Sequence, residues 1–241
     1  MVDEQITAAA IVGRMRAVAD PQRARLNLRF FKTGPGDYGE GDRFMGLTLP
    51  QIREIAREAR ALPLAGVDRL LHSPWHEVRL LAAIVLAMQY AKADEPGRTA
   101  IYRLYLSRTA YLNNWDLVDV TAPSIVGVHL LKRSRAVLTR LARSKSVWER
   151  RIAMVSTSAF IRRGEFDDTL RLATQLLPDR HDLIHKVVGW MLREVGKRDE
   201  AALCAFLDRH AATMPRTALR YAIERLGQTQ RRYYMAAGRP L

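Results

Sequence analysis

Cysteine is almost absent from this chain, since Cys204 is the one thiol among 241 residues. A single thiol excludes an intramolecular disulfide framework and favours a reducing compartment. Long apolar runs are missing too: the longest, Leu80 to Met88, has nine residues, whereas a membrane-spanning helix needs roughly 20. Asp3 and Glu4 stand where an export signal carries Lys or Arg. These absences predict a chain that is neither exported nor inserted in a membrane.

Acidic residues are scarce relative to basic ones. The chain has 39 Lys and Arg against 25 Asp and Glu, which gives a formal net charge of +14. The basic residues are spread along the whole chain, which is typical of a folded surface with a basic face. The ordinary apolar fraction of 48% excludes a disordered or fibrous chain. The excess charge therefore favours a folded protein with a polyanionic partner or an anionic surface to bind.

Runs that alternate between apolar and polar residues are lacking, and cap signals predict helices instead. Asp20-Pro21 predicts a helix that extends to about Lys32. Four glycines and a proline make the segment from Thr33 to Arg43 a loop. Further helix starts are predicted at Thr48-Leu-Pro50, Ser73-Pro74, Ser146-Val-Trp-Glu149 and Thr213-Met-Pro215. The sequence therefore predicts an all-α fold.

A basic residue followed by an apolar run recurs along the chain. Arg79 and Arg151 begin two such segments 72 residues apart, and Lys186 begins a third 35 residues later. Half of the first spacing falls on Trp115, at the start of another helical stretch. A period of about 36–40 residues is typical of a HEAT-like solenoid built from helix pairs. Chance spacing in any helical protein is the alternative.

The period predicts one HEAT-like repeat domain, an α-α superhelix with a basic concave face, over residues 1–241. N-terminal helices would occupy residues 1–32, the glycine-rich loop 33–43 and the repeats about 44–237. Equivalent positions in successive repeats line one face, and residues four apart share a helix face. The expected row consists of Arg79, Trp115 with Asp119, Arg151, and Lys186 with Trp190.

Four segments of the chain resemble the AlkD family of DNA alkylation-repair glycosylases, from about Asp20 to Tyr234. The segments are Phe44-Met-Gly-Leu-Thr-Leu-Pro50, Asn114-Trp-Asp-Leu-Val-Asp119, Trp148-Glu-Arg-Arg-Ile-Ala153 and His185-Lys-Val-Val-Gly-Trp-Met-Leu-Arg-Glu194. The resemblance implies a HEAT-like solenoid whose basic concave face binds duplex DNA. It also implies hydrolysis of the N-glycosidic bond of cationic N3- and N7-alkylated purines in base excision repair.

By motif, the lesion-site residues of that family fall on Trp115, Trp190, Asp119 and Arg151. We expect Asp119, Trp115 and Trp190 to be catalytic. The expected DNA contacts are Arg151, Lys186, Arg79, Arg193 and Thr48. The resemblance also implies a bacterial cytosolic or nucleoid enzyme that acts as a monomer, without an obligate protein partner.

The chain departs from the best-studied members of that family at three places. Thr48 stands where they carry a glutamine, and Phe30 or Phe31 stands where they carry a tyrosine on the second helix. The glycine-rich loop is longer than theirs. These departures bear on the range of substrates and on how the N-terminal helices meet DNA.

Asp119 suits glycosidic hydrolysis because an oxocarbenium-like sugar needs negative charge and a positioned water. A structural alternative is that Asp119 caps a helix or pairs with Arg150 or Arg151. Trp115 and Trp190 can place their π faces against a cationic base, although helical tryptophans usually pack in a core. The absence of a lysine from these motifs, apart from Lys186, predicts a monofunctional enzyme.

No cofactor or metal is expected, because the His72–His76 and His181–His185 pairs lack the glutamate of a zinc motif. The expected partner is duplex DNA containing alkylated bases. The rival interpretation is a non-catalytic HEAT-like scaffold that binds nucleic acid or an acidic protein. The pair of Asp119 and Trp115 discriminates between the glycosylase and the scaffold, because a scaffold does not need it.

Overall fold

The computed structural model describes residues 6–237, which form helices joined by short loops. No strand occurs in this part of the chain; a single isolated bridge pairs Arg43 with Trp75. The predicted all-α fold is therefore confirmed. None of the helices in residues 6–237 is long and apolar enough to cross a membrane.

The helices cluster into two compact units that meet in sequence between Ile125 and Val126. The first unit contains α1 (Ala8–Ala17), α2 (Pro21–Phe30), α3 (Leu49–Glu58), α4 (Leu64–Leu71), α5 (His76–Lys92), α6 (Glu95–Ser107) and α7 (Trp115–Ala122). A π-helical segment, Pro123–Gly127, follows α7. The second unit contains α8 (Ala136–Ala142), α9 (Val147–Ser156), α10 (Ser158–Ile161), α11 (Asp167–Leu176), α12 (Asp182–Gly196), α13 (Glu200–His210), α14 (Arg216–Ala222) and α15 (Gln228–Ala236).

Side-chain caps fix the starts of the helices that matter for the site. Asp20 accepts hydrogen bonds from the backbone amides of Gln22 and Arg23 at 2.9 and 3.1 Å, and Pro21 occupies the first turn. The predicted start at Ser73-Pro74 is displaced, because these residues form a turn and α5 begins at His76.

Helix α5 is the centre of the first unit, where it packs against α3, α4, α6 and α7. Its apolar residues point in every direction, and Val78, Leu81, Val85 and Leu86 are all fully buried. A helix that is apolar all round is stable only when it is surrounded. Each such side chain contributes roughly 1.5–3 kcal/mol by leaving water, so the nine-residue apolar run serves as a core helix.

Helix α12 has the same central position in the second unit, packed against α9, α13 and α14. Gly189 permits the approach to α14, because a Cβ there would lie 2.3 Å from the carbonyl oxygen of Ala218. The adjacent Trp190 therefore has its place fixed by a close helix–helix contact.

Candidate functional site

Helix α7 carries the two residues on which the sequence argument depends, Trp115 and Asp119. It begins at Trp115 because the buried Asn114 is its N-cap, with an extended backbone and an Oδ1 that accepts from the Trp115 amide at 2.9 Å. It ends at Ala122, where Pro123 interrupts regular α-helical hydrogen bonding. Trp115 is thus in the first turn and Asp119 is one turn further on.

Trp115 and Asp119 line the same cavity in the first unit, which has a volume of about 280 Å³. Side chains from α2, α3, α5 and α7 form its wall, with mostly apolar and aromatic groups beside carboxylates. The lining includes Phe30, Phe31, Leu49, Trp115, Asp116 and Asp119. Aromatic rings beside two acids on one helical turn suit a flat, cationic group.

Two phenylalanines of the second-helix region hold the indole of Trp115. Phe31 stacks on it with ring centroids 5.5 Å apart and 19° between the planes, and Phe30 meets it edge-on at 5.9 Å. Phe31 is buried, whereas Phe30 is 64% exposed at the mouth of the cavity. Phe30 and Phe31 are the two residues that can stand where proteins of the resembled family carry a tyrosine. Both contact the indole, and neither has a hydroxyl group.

Beside the cavity lies a buried cluster of ions that the sequence analysis missed. Asp42, from the glycine-rich loop, accepts a hydrogen bond from Arg79 Nη2 at 2.6 Å and contacts His76 Nδ1 at 3.1 Å. The side-chain amides of Asn113 and Asn114 also donate to Asp42, each at 3.3 Å. The loop is therefore attached to the residues that precede α7.

His76 connects this cluster to α7. Its Nε2 lies 2.8 Å from Asp116 Oδ2, and its ring packs on Phe31 and Phe44 with centroids 4.7 and 4.8 Å away. Burial would lower the pKa of His76, but hydrogen bonds to Asp116 and Asp42 and the charges of both acids raise it to about 9. His76 is therefore an imidazolium at neutral pH.

The same ion pairs determine the pKa of Asp42. Burial would raise the pKa of Asp42, but the hydrogen bond from His76 and the positive charge of Arg79 outweigh that effect and hold the pKa below its ordinary value. Asp42 is consequently ionised in the folded protein.

Glu77 fixes the segment that follows the glycine-rich loop. Its buried carboxylate accepts hydrogen bonds from the backbone amides of Met45 and Gly46, at 3.0 and 2.8 Å. Gly46 has a φ of +83° and lies against the backbone of Asp20, where a Cβ would come within 2.0 Å of a carbonyl oxygen. Within the Phe44–Pro50 motif, Met45 and Gly46 are thus held by Glu77, a contact that the sequence of the motif does not reveal.

The two predicted DNA contacts of the first unit, Arg79 and Thr48, both have partners within the protein. Arg79 is only 4% exposed, and its guanidinium binds Asp42 and the carbonyl of Ser73. The ion pair with Asp42 draws Arg79 inward, and its contact with DNA stays a prediction. Thr48 is the N-cap of α3, where its hydroxyl and amide both bond to Gln51 in a capping box.

The remaining predicted residues belong to the second unit. Arg151 is 5% exposed and donates to the carbonyl of Leu183 at 2.7 Å. Lys186 pairs with Asp182 at 2.7 Å, and Arg193 pairs with Glu224. Trp190 is half-buried on α12.

No local signal in the sequence could have identified the ionic cluster. His76 is 34 residues from Asp42 and 40 from Asp116, and no short motif contains any two of them. The sequence analysis considered His76 only as a metal ligand. Among residues 6–237, no group of three or more His, Cys, Asp or Glu has the arrangement that a metal ion needs.

Comparison with known proteins gives the family. No curated protein matches the sequence. A solved structure from Enterococcus faecalis, described as a predicted DNA alkylation repair enzyme, is 16% identical with a TM-score of 0.68; the match covers 87% of this chain and 97% of that one. The likeness to that structure shows the fold. The family model of DNA alkylation repair enzymes matches residues 11–226, and the chain therefore belongs to the DNA alkylation repair enzyme family.

Proposed function

We propose that this protein is a monofunctional DNA glycosylase that hydrolyses the N-glycosidic bond of cationic N3- and N7-alkylated purines in duplex DNA. The observation that carries the proposal is the pairing of Trp115 with Asp119 at one aromatic cavity of about 280 Å³. The proposal includes action as a monomer in the bacterial cytosol or nucleoid, without a cofactor.

The chemistry of the lesion explains why so few groups are needed. A 3-methyladenine or 7-methylguanine base already carries positive charge, so it leaves as a neutral molecule without a proton from a general acid. As the bond to C1′ breaks, positive charge moves onto the sugar. The protein must stabilise that charge and supply a water on the opposite face.

Asp119 supplies both functions in this proposal. Its carboxylate stabilises the oxocarbenium-like sugar electrostatically and accepts a proton from the attacking water. Trp115 contributes a π face against the sugar or the cationic base, worth roughly 0.5–2 kcal/mol. Phe31 supports this role, because stacking restricts the indole to one orientation at the cavity.

A second-unit surface supports the binding of a phosphate backbone. Arg220, Arg231 and Arg232 are exposed and line a cleft of about 450 Å³ between α14 and α15. In the part of the chain that the structure describes, no carboxylate lines this cleft. Lys186 and Arg193 sit in partly exposed ion pairs of the kind that contribute only about 0–1 kcal/mol, so a phosphate can replace the acidic partner.

The test is release of free 7-methylguanine from methylated duplex DNA, measured in single turnover with enzyme in excess. We expect Asp119→Asn to lower the rate by about 100-fold or more and to leave DNA affinity within about twofold. Glu54→Gln is the matched control, because it makes the same carboxylate-to-amide change on the exposed face of α3. Its rate should equal that of the wild type.

Two results would contradict the proposal in different ways. A wild type that releases no alkylated base above the spontaneous rate would overturn the proposed reaction and favour the non-catalytic scaffold. A fully active Asp119→Asn variant would retain the reaction but remove Asp119 from its mechanism.

A further inference from the structure

Asp42, His76 and Asp116 form what we call the histidine bridge, a largely buried row of hydrogen bonds that the proposed reaction does not use directly. It joins three segments: the glycine-rich loop through Asp42, the first residue of α5 through His76, and the first turn of α7 through Asp116. His76 is 1% exposed, and the backbone amide of His76 also donates to the carbonyl of Arg43 at 2.8 Å.

Between two carboxylates, only a protonated ring completes both hydrogen bonds of the bridge. Nδ1 faces a carboxylate oxygen of Asp42 at 3.1 Å, and Nε2 faces one of Asp116 at 2.8 Å. A neutral imidazole has a single N–H, so one of its nitrogens would direct a lone pair at an anion. Only the imidazolium donates to both acids, and its loss of a proton must therefore break one contact.

The charged groups around the ring are few and well defined. The loop contributes Asp42 and α7 contributes Asp116. Helix α5 itself contributes Arg79, which binds Asp42, and Glu77, which binds two backbone amides just after the loop. The α2 side of the ring is covered by the aromatic ring of Phe31. In their charged forms Asp42 and Asp116 balance His76 and Arg79, and Glu77 adds one negative charge that backbone amides solvate.

The bridge acts on the stretch of α7 that lines the cavity. Asp116 lies between Trp115 and Asp119 and lines the same cavity. Its other oxygen, Oδ1, accepts from the amide of Leu117 at 2.9 Å. The His76 contact is therefore a polar link between the first turn of α7 and the start of α5, in addition to the packing of the two helices.

We infer that His76 is a positioning residue, which as an imidazolium holds the first turn of α7 so that Trp115 and Asp119 face the substrate. The inference rests on the proposed function. It assigns His76 no contact with the reacting atoms. Its role is to orient Trp115 and Asp119, which face the substrate. A displacement of such groups by about 1 Å can lower the rate on the order of 100-fold.

The experiment compares His76→Gln with the wild type on the same methylated DNA at several pH values. Glutamine carries no charge at any pH and can donate to only one acid at a time, so it resembles the deprotonated histidine. The measured quantity is the ratio of the two single-turnover rates, in which any titration of the DNA lesion cancels.

We expect the wild type to be faster by about tenfold to 100-fold near neutral pH, with DNA affinity unchanged within about twofold. The ratio should fall towards one as the pH rises through the pKa of His76, about 9. A merely structural role gives a ratio that does not change with pH. His72→Gln is the matched control, because His72 lies outside the bridge and bonds to the carbonyl of Asp68; its ratio should be one throughout.

Asp116→Asn keeps the test informative if His76→Gln does not fold. It removes one of the two charges that raise the pKa of His76 while the contact to Asp42 remains. The alkaline limb of activity should then move to lower pH, and the C2 proton of His76 should show the same shift by NMR.

The outcomes separate the two proposals. An inactive wild type overturns the proposed function. An active wild type with a ratio of one, or with a ratio that is constant across the pH range, overturns the positioning role of His76 alone.

Discussion

Phe31 stacks on Trp115, with ring centroids 5.5 Å apart and 19° between the planes. The contact joins the end of α2 to the start of α7 and fixes the indole at the cavity. It also connects the departure from the family pattern at this position to Trp115, a residue of the proposed lesion site.

We predict that Phe31→Ala lowers the free energy of unfolding by about 3–5 kcal/mol, because it leaves a hole among Trp115, Phe44 and His76. Denaturant unfolding measures this change. Phe30→Ala is the control, since a side chain that is 64% exposed should change stability by less than about 1 kcal/mol. Equal losses from the two variants would contradict the assignment of Phe31 as the buried partner.

The histidine bridge predicts a pH-dependent stability. The pKa of His76 is raised from 6.5 to about 9 by its two acidic partners. The stabilisation is therefore complete below pH 6.5, where the unfolded chain is protonated too, and is lost as the pH rises towards 9. Its size is on the order of 3 kcal/mol.

The measurement for this prediction is the difference in unfolding free energy between the wild type and His76→Gln at each pH. The difference should be largest near pH 6 and should fall steadily towards pH 9. A difference that grows with pH would show that His76 is neutral in the folded protein.

The sequence was most informative where a local rule decides the structure. Caps and prolines predicted the starts of α2 and α3, and the spacing of one turn predicted that Trp115 and Asp119 share a surface. The environment of Arg79 could not be predicted by such a rule. In the repeat pattern its position is equivalent to those of Arg151 and Lys186. Its environment is set by Asp42, 37 residues away, and no local pattern encodes a contact of that kind.

The buried location of Arg79 predicts a contrast with Lys186. Arg79→Met should lower the free energy of unfolding by about 3–5 kcal/mol, because it removes a partner of a buried carboxylate. It should leave the salt dependence of DNA binding unchanged. Lys186→Met should cost less than about 1 kcal/mol, since Lys186 and Asp182 are both partly exposed, but should reduce the slope of log affinity against log salt by about 1.

Unfolding curves and a salt titration of DNA binding measure both effects. Both variants replace a cation by methionine, so the new side chain is the same at the two positions. If Arg79→Met reduced the salt slope while stability stayed constant, Arg79 would be a phosphate contact after all.

Gly189 and Gly13 give a final contrast, between two glycines in helices. A Cβ at Gly189 would lie 2.3 Å from the carbonyl oxygen of Ala218 and 2.5 Å from the Cβ of Tyr221, whereas one at Gly13 would meet nothing within 4 Å. Gly189→Ala must therefore separate α12 from α14, at a cost of about 1–3 kcal/mol. Gly13→Ala should instead stabilise α1 by about 0.5–1 kcal/mol, because alanine loses less backbone entropy in a helix. Urea unfolding of the two variants decides the matter, and a stabilised Gly189→Ala would mean that the two helices do not pack at this distance.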